Sequence, residues 1–379
     1  MNHKGAAAVY VHVPFCPGKC SYCDFYSVVR SPDGVKRYLR ALRTEFALTA
    51  VERPRTFRTV YVGGGTPTVL TTQELEDLLS VLSREARFTD GVEFTVEANP
   101  GTLTGEKLRV LRRHGVNRLS IGAQSFNDRL LKLLGRPHGS REIAHALETA
   151  RDEGLTNLSL DLIFGIPTQT LADWKRDLEE LLSCDVPHVS AYSLTYEENT
   201  PLAKRVADRS VDRVGEEEEL RMYEAVIDTL TGSGYEHYEV SNFARPGFAC
   251  RHNEVYWANE SYLGLGPSAA SYVGGERRRN VSSLEGYVSM LDSGTLPVDF
   301  RERLAPERRA RETAVMNLRR TRGIDFDDFR RHTTFDARQL FARELESLAA
   351  DGLMEVGRDS ARLTRRGLMV ADSILSELV

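Results

Sequence analysis

Six short runs rich in β-branched and apolar residues, separated by amphipathic stretches, leave this chain few architectures. The runs are 9–15, 59–62, 92–96, 118–121, 157–163 and 189–194. Each is short and apolar in the way of buried parallel strands. Between them, 35–51, 72–85, 104–114, 140–153 and 172–183 repeat at helical spacing. Thr71 or Thr72 ahead of Glu74 and Glu76, and Ser140 ahead of Glu142, are helix starts; Gly115 and Gly154 stand where a helix ends. Strands alternating with helices predict an α/β chain, a partial (β/α)6 barrel of parallel strands that does not close to eight.

Chemistry-bearing residues follow each strand. After the first comes Cys16-Pro17-Gly18-Lys19-Cys20-Ser21-Tyr22-Cys23, which places three of the chain's five cysteines within eight residues. Thiolates suit soft metals, and iron–sulfur clusters are normally held by four. The local set stops at three, and the next cysteine is Cys184. A cubane on three thiolates keeps one iron open to a small ligand, which a structural zinc site does not. A zinc knuckle needs a fourth ligand nearby, and His12 is the one candidate; three ordinary thiols is the remaining alternative. The later strands end in Gly63-Gly64-Gly65-Thr66-Pro67, Glu97-Ala98-Asn99-Pro100, Gly122-Ala123-Gln124-Ser125-Phe126, Asp161 with Gly165-Ile166-Pro167, and Thr195. Any one of these is ordinary turn chemistry. Six in register predict a site on the strand C-terminal face, with the glycine triplet letting backbone approach a ligand and Glu97, Gln124 and Asp161 around it.

A chain of 379 residues fits a barrel with an appendage, and 41% hydrophobic with 28% charged residues is ordinary globular composition. A net charge of −5 gives no general drive toward nucleic acid or anionic membrane. No stretch reaches the apolar length of a membrane span, and the run 6–15 is interrupted by His12 and Pro14 and is not read as a signal peptide. Five cysteines with three clustered make no disulfide framework, so a reducing, cytoplasmic setting is expected.

In this order, the cysteine motif preceded by His12-Val13-Pro14-Phe15, then GGGTP, Glu-Ala-Asn-Pro, Gly-Ala-Gln-Ser-Phe, Leu134-Gly135-Arg136-Pro137-His138 and Asp161-Leu162-Ile163-Phe164-Gly165-Ile166-Pro167 resemble the oxygen-independent coproporphyrinogen III oxidase superfamily of radical S-adenosylmethionine (SAM) proteins. The resemblance runs from about residue 9 to 272. It implies that Cys16, Cys20 and Cys23 hold a 4Fe–4S cluster whose open iron chelates the SAM amine and carboxylate, and whose electron cleaves the sulfonium to a 5′-deoxyadenosyl radical. Tyr10 and Tyr22 would contact that assembly. Gly64, Gly65 and Thr66 would meet the methionine amino group through backbone and hydroxyl. Glu97, Gln124, Arg136 and Asp161 would line the SAM or second-ligand site, although an arginine before a proline is by itself ordinary loop chemistry.

Two branches of that superfamily differ in function. One decarboxylates the propionates of coproporphyrinogen III; the other, the HemW-type haem chaperone, is associated with haem binding and delivery. The dehydrogenase pattern carries a further cysteine where this chain has Phe25, and a longer N-terminal arm than the eight residues preceding the first strand here. Arg251-His252-Asn253-Glu254-Val255-Tyr256-Trp257 matches the HNxxYW motif of the chaperone branch. His252 beside flat aromatics suits haem ligation and stacking, so His252, Asn253, Tyr256 and Trp257 are the candidate haem residues; a core histidine packed by aromatics is the plainer alternative. The small-residue run 264–271 would admit close backbone approach to a ligand. Cys250 and Cys184 read as small core hydrophobes.

Beyond Tyr272 the pattern changes. Helical stretches at 307–318, 325–332 and 336–351, a hairpin through 352–356 and 361–364, and a last helix at 365–378 read as a small winged-helix-like domain. Arg319, Arg320, Arg322, Arg330 and Arg331 raise nucleic-acid binding, but Glu312, Asp325, Asp327 and Asp328 blunt the charge and favour a solvated face. The expected organisation is a barrel core at 1–200, an extension with the HNxxYW motif at 201–300 and the C-terminal domain at 301–379. The functional expectation is a haem chaperone binding a 4Fe–4S cluster, SAM and haem. Its expected partners are a haemoprotein acceptor, a low-potential electron donor such as a flavodoxin, a peripheral membrane contact through the acceptor, and no nucleic acid. The competing readings are a coproporphyrinogen III dehydrogenase and a cluster-sensing DNA-binding regulator.

Overall fold

A computed structural model describes residues 8–50 and 56–378. The predicted helix end at Val51 and the start of the apolar run at Ala6 lie outside the described residues. Twelve strands form one sheet: β1 (Ala8–Val13), β2 (Phe57–Gly64), β3 (Phe88–Ala98), β4 (Arg118–Gln124), β5 (Leu158–Phe164), β6 (His188–Ser193), β7 (Glu236–Glu239), β8 (Asn242–Ala244), β9 (Tyr262–Leu265), β10 (Ala270–Val273), β11 (Glu276–Asn280) and β12 (Val298–Glu302). Their order is β12-β11-β10-β9-β1-β2-β3-β4-β5-β6-β8-β7. Strands β1 to β6 are parallel, as predicted, and β9 adds a seventh parallel strand beside β1. That seventh strand is four residues long and sits in the small-residue run, where its composition hides it. Antiparallel strands extend both edges, and the sheet stays open.

The parallel strands alternate. One face of each is apolar: Val9, Val11 and Val13, then Val60 and Val62, Leu119 and Ile121, Leu158 and Leu160 are all nearly fully buried in one core. Helices at Pro32–Leu48, Thr72–Glu85, Ser140–Asp152 and Leu171–Ser183 pack Phe46, Leu78, Leu147, Leu178 and their neighbours into it. Each such side chain contributes roughly 1.5–3 kcal/mol. The opposite face is polar. Ladder pairing runs Tyr10–Tyr61–Thr95–Arg118 across four strands, Glu97–Ser120–Ser159–His188 across the next set, and Gly122–Asp161–Ser190 above it. The strands therefore draw their hydrophobic stabilisation from outside and enclose a polar lumen.

Helix starts follow the sequence signals at Thr71, while at the helix Ser140–Asp152 the cap is Gly139 and Ser140 is the first helical residue. Thr71 and Glu74 make a reciprocal capping box, and Ser31 caps the first helix by accepting from Gly34 N. The C-terminal region has helices at Pro306–Leu318 and Phe326–Thr333 and a three-stranded sheet of Ile324–Asp325, Ser360–Leu363 and Met354–Val356. The two longer helices expected there are each broken, at Phe341 and at Val370, whose φ values of −121° and −123° leave the helical region.

The basic cluster is the expected solvated face at Arg322, Arg330 and Arg331, which are exposed, but not at Arg319 and Arg320, which turn inward. Arg320 is buried and reaches Glu254 at 3.8 Å, Arg322 pairs with the same carboxylate at 2.9 Å, and Arg319 lies over the Trp257 ring. Arg319 also pairs with Asp372, Arg330 with Asp336, and Arg331 with Asp328. Arg320 and Arg322 through Glu254, and Arg319 over Trp257, fasten the C-terminal region to the helix Arg251–Trp257, and the buried Arg320 finds its counter-charge there.

Candidate active site

The cysteine loop leaves the end of β1 and is held on all sides. Thr66 N donates to Phe15 O at 2.7 Å, Val28 N to Pro14 O at 2.8 Å, and Ser21 N to Leu134 O at 2.9 Å. Arg30 clamps Glu74 through two bonds of 2.9 and 2.8 Å. Cys16, Cys20 and Cys23 are unpaired thiols that line one cavity of ≈ 760 Å³. Sulfur contacts come from Thr66 Oγ1, 3.6 Å from Cys16, and Arg136 Nη1, 3.5 Å from Cys20. Burial pushes the Cys23 thiol up.

All the residues that sequence comparison placed around SAM line this same cavity. Tyr10 and Tyr22 flank the loop; Gly64, Gly65 and Thr66 form one rim; Glu97, Gln124, Arg136 and Asp161 project from the strand ends. Glu97 is pushed up to about 7 by burial, and it accepts from Tyr61 Oη at 2.9 Å and Gly64 N at 3.0 Å. Asp161 is raised for the same reason, while both its oxygens accept from Ser120 Oγ at 3.0 Å. Gln124 has a φ of +68° at a bulge in the β4–β5 ladder, a strained conformation for a non-glycine residue.

The glycines that line the cavity also serve the protein's own packing. Gly64 has φ +106°, and a Cβ there would lie 2.5 Å from the His12 ring; one on Gly65 would lie 2.5 Å from Phe15 O. Their amides are engaged too, by Glu97 and by Val13 O at 2.9 Å. The run 264–271 follows the same logic: side chains on Gly264 and Gly266 would run into the carbonyls of Ala270 and His12.

The HNxxYW helix, Arg251–Trp257, is capped by Glu93, which accepts from Arg251 N at 3.0 Å and His252 N at 2.9 Å. His252 is buried and pushed down to about 3 by desolvation. Its Nδ1 is 2.9 Å from Thr59 Oγ1, its Nε2 is 2.9 Å from Tyr256 Oη, and its ring stacks on Tyr61 at 5.1 Å. Of the four candidate haem residues only Asn253 lines the cavity; Tyr256 packs edge-on against Tyr262, and Trp257 is half-buried under Arg319. Cys250 lines the cavity as well, its thiol pushed up to about 12 by burial, while Cys184 ends the helix Leu171–Ser183.

Several lumen residues escaped sequence reasoning: Tyr61, Arg118, Ser120, His188, Ser190 and Tyr192 all line the cavity. The signal that could have found them is the period-two polarity of each strand, hidden among apolar neighbours.

A family model described as the radical SAM superfamily matches residues 10–181. A protein from Bacillus subtilis (strain 168) named heme chaperone HemW is 35% identical over 97% of both chains. One of the same name from Mycobacterium tuberculosis (strain H37Rv) is 36% identical over 98% of this chain and 94% of its own. The chain belongs to the HemW family of radical SAM proteins. A HemN C-terminal domain model matches residues 304–370. The solved coproporphyrinogen III oxidase HemN of Escherichia coli, a radical SAM enzyme, superposes with a TM-score of 0.85 at 25% identity, covering 99% of this chain and 90% of that one. Membership of the superfamily implies a 4Fe–4S cluster and SAM, and the donor set fits. Three free thiols line a shared cavity, with Thr66 and Arg136 beside their sulfurs.

Proposed function

We propose that this protein is a haem chaperone that binds a 4Fe–4S cluster through Cys16, Cys20 and Cys23, SAM beside it, and haem, and that it delivers haem to a haemoprotein acceptor. The observation that carries this reading is the convergence of three thiols and a polar lumen on one cavity, in a chain whose near-full-length relatives are named haem chaperones. When bound, the cluster supplies an electron and an open iron coordination position. The chain's own residues do the rest. An ammonium group is a donor only, so its acceptors along this rim would be backbone carbonyls and the Thr66 hydroxyl. Glu97 accepts further donors beside Tyr61, and Gln124 and Asp161 offer acceptors around the rest of a polar ligand.

Haem is assigned to the side of the lumen closed by the HNxxYW helix, where Asn253 faces the cavity. For His252 to bind iron it must release Thr59 or Tyr256, so loading includes a shift of that helix. The 1–200, 201–300 and 301–379 segments then carry the cluster and SAM, the haem motif and the acceptor-facing cap. A flavodoxin-like donor, membrane contact through the acceptor and a cytoplasmic location belong to the same proposal. No helix among the described residues is long and apolar enough to cross a membrane.

The second reading is coproporphyrinogen III dehydrogenase, favoured by the full-length superposition on HemN. Anaerobic reconstitution, followed on one sample by haem titration and by turnover of coproporphyrinogen with SAM and reductant, separates the two. Haem binding without protoporphyrinogen formation supports the chaperone, and robust conversion overturns it.

A further inference from the structure

The lumen continues well below the cluster loop. Arg118 begins β4 and Gln124 ends it, six residues on at 3.3 Å each, so the cavity extends about 20 Å along the strand. Arg118 is 1% exposed and lines that inner end. Its Nη1 donates to Phe248 O at 2.9 Å and Asn157 Oδ1 at 3.2 Å, but Nη2 has no partner among the described residues. Thr95, its register partner on β3 and equally buried, has an unpartnered hydroxyl. Asn253 faces the same cavity, and no hydrogen bond within the described residues holds its amide. A desolvated cation edge with two idle polar groups is costly to leave unfilled.

The nearby acids are already engaged. Glu93 caps the Arg251–Trp257 helix and meets the Cys250 thiol, Asp161 is held by Ser120 and Ser159, and Glu97 by Tyr61 and Gly64. Arg118 and Asp161 sense one another's charge, but no carboxylate bonds Nη2, which stays an unpartnered donor in the cavity wall. We propose that Arg118, with Thr95 and Asn253, is the seat for a carboxylate of a ligand held in the inner lumen. That carboxylate is distinct from any group held at the cysteine loop, which lies at the other end of the strands. With Nη1 taken by Phe248 O and Asn157 Oδ1, Nη2 offers a carboxylate one charge-assisted hydrogen bond. The carboxylate belongs either to a small organic acid or to the propionate of a tetrapyrrole.

The test titrates the full chain with sodium propionate against sodium chloride at constant ionic strength, reading the thermal midpoint. Wild type should show a saturable rise, and Arg118→Met should need about tenfold more propionate, the loss of one charge-assisted bond. Thr95→Val, which keeps the volume and drops the hydroxyl, should weaken the response as well and decides the matter if Arg118→Met does not fold. Haem and haem dimethyl ester then distinguish the sources. A wild-type preference for the free acid that Arg118→Met or Thr95→Val removes assigns the seat to a tetrapyrrole propionate. A propionate response with no such preference assigns it to a small acid. Equal propionate and haem responses in wild type and both variants overturn the proposal, leaving Arg118 solvated by water alone.

Discussion

Arg136 Nη1 lies 3.5 Å from Cys20 Sγ while Nη2 of the same guanidinium donates to Gly122 O at 2.8 Å, so one side chain ties the cysteine loop to the end of β4. A cation donating to a ligand sulfur favours the more negative, reduced cluster. Arg136→Gln should lower the reduction potential of the reconstituted cluster by about 60 mV, the one-electron equivalent of tenfold. A redox titration followed by electron paramagnetic resonance measures it. An unchanged potential would mean that Arg136 only braces the loop.

Cys20→Ala should abolish the visible absorbance of the reconstituted cluster and leave the barrel folded. The loop is anchored by backbone bonds at Pro14, Phe15 and Leu134 that do not involve the thiol, and Cys20 stands outside the core. Iron and sulfide analysis beside circular dichroism checks both halves, and a full cluster in the variant would sink the ligand assignment.

Glu45 is 2% exposed and pushed up to about 7 by burial, while its carboxylate accepts from Gly266 N, Tyr287 Oη and Asn280 Nδ2 at 2.8, 2.7 and 2.6 Å. Because its folded value lies above the unfolded one, near 4.5, the folded state binds more protons between the two. Its stabilisation is complete below pH 4.5 and is lost as pH rises through 7. The loss is on the order of 3 kcal/mol. Chemical denaturation from pH 4.5 to 8 should show a shallower decline in Glu45→Gln than in wild type; parallel curves would refute it.

His252→Ala removes the buried bond to Thr59, the part-buried bond to Tyr256 and the stack on Tyr61. A cost of about 2–4 kcal/mol is expected from the unpaired hydroxyls and the cavity. Trp257→Phe keeps the bulk under Arg319 and should cost much less. Both should weaken haem titration. Unchanged haem affinity in the two variants would move the haem site off this helix.

The barrel could be read in the sequence because its strands are spaced by amphipathic helices with start signals such as Thr71 or Thr72 ahead of Glu74, of which Thr71 is the cap. Cys16, Cys20, Cys23, Glu97, Gln124 and Asp161 stood out because strand ends carry function. What stayed hidden depends on tertiary neighbours. Tyr262–Leu265 becomes a strand only because β1 offers it an edge. The glycine triplet spoke of ligand approach, yet the missing side chains of Gly64 and Gly65 also make room for His12 and Phe15, 52 and 50 residues away in sequence. Arg319 and Arg320 looked like surface charge because their partners, Trp257 and Glu254, come from another part of the chain. Helix Asp128–Leu134 is too short for its periodicity to stand out, though its carbonyls hold Ser21.

Since each parallel strand is apolar only on its outward face, the residues that hold the barrel up are physically separate from those that decide what it holds. Substitutions at Ser120, Ser159 or Ser190 meet a polar interior, not the helix-packed shell, so replacements that keep a donor for the buried Asp161 re-tailor the lumen with little toll on folding. Two proteins with nearly superposable backbones can in this way accept unlike cargo, and the difference between them is written on alternate residues.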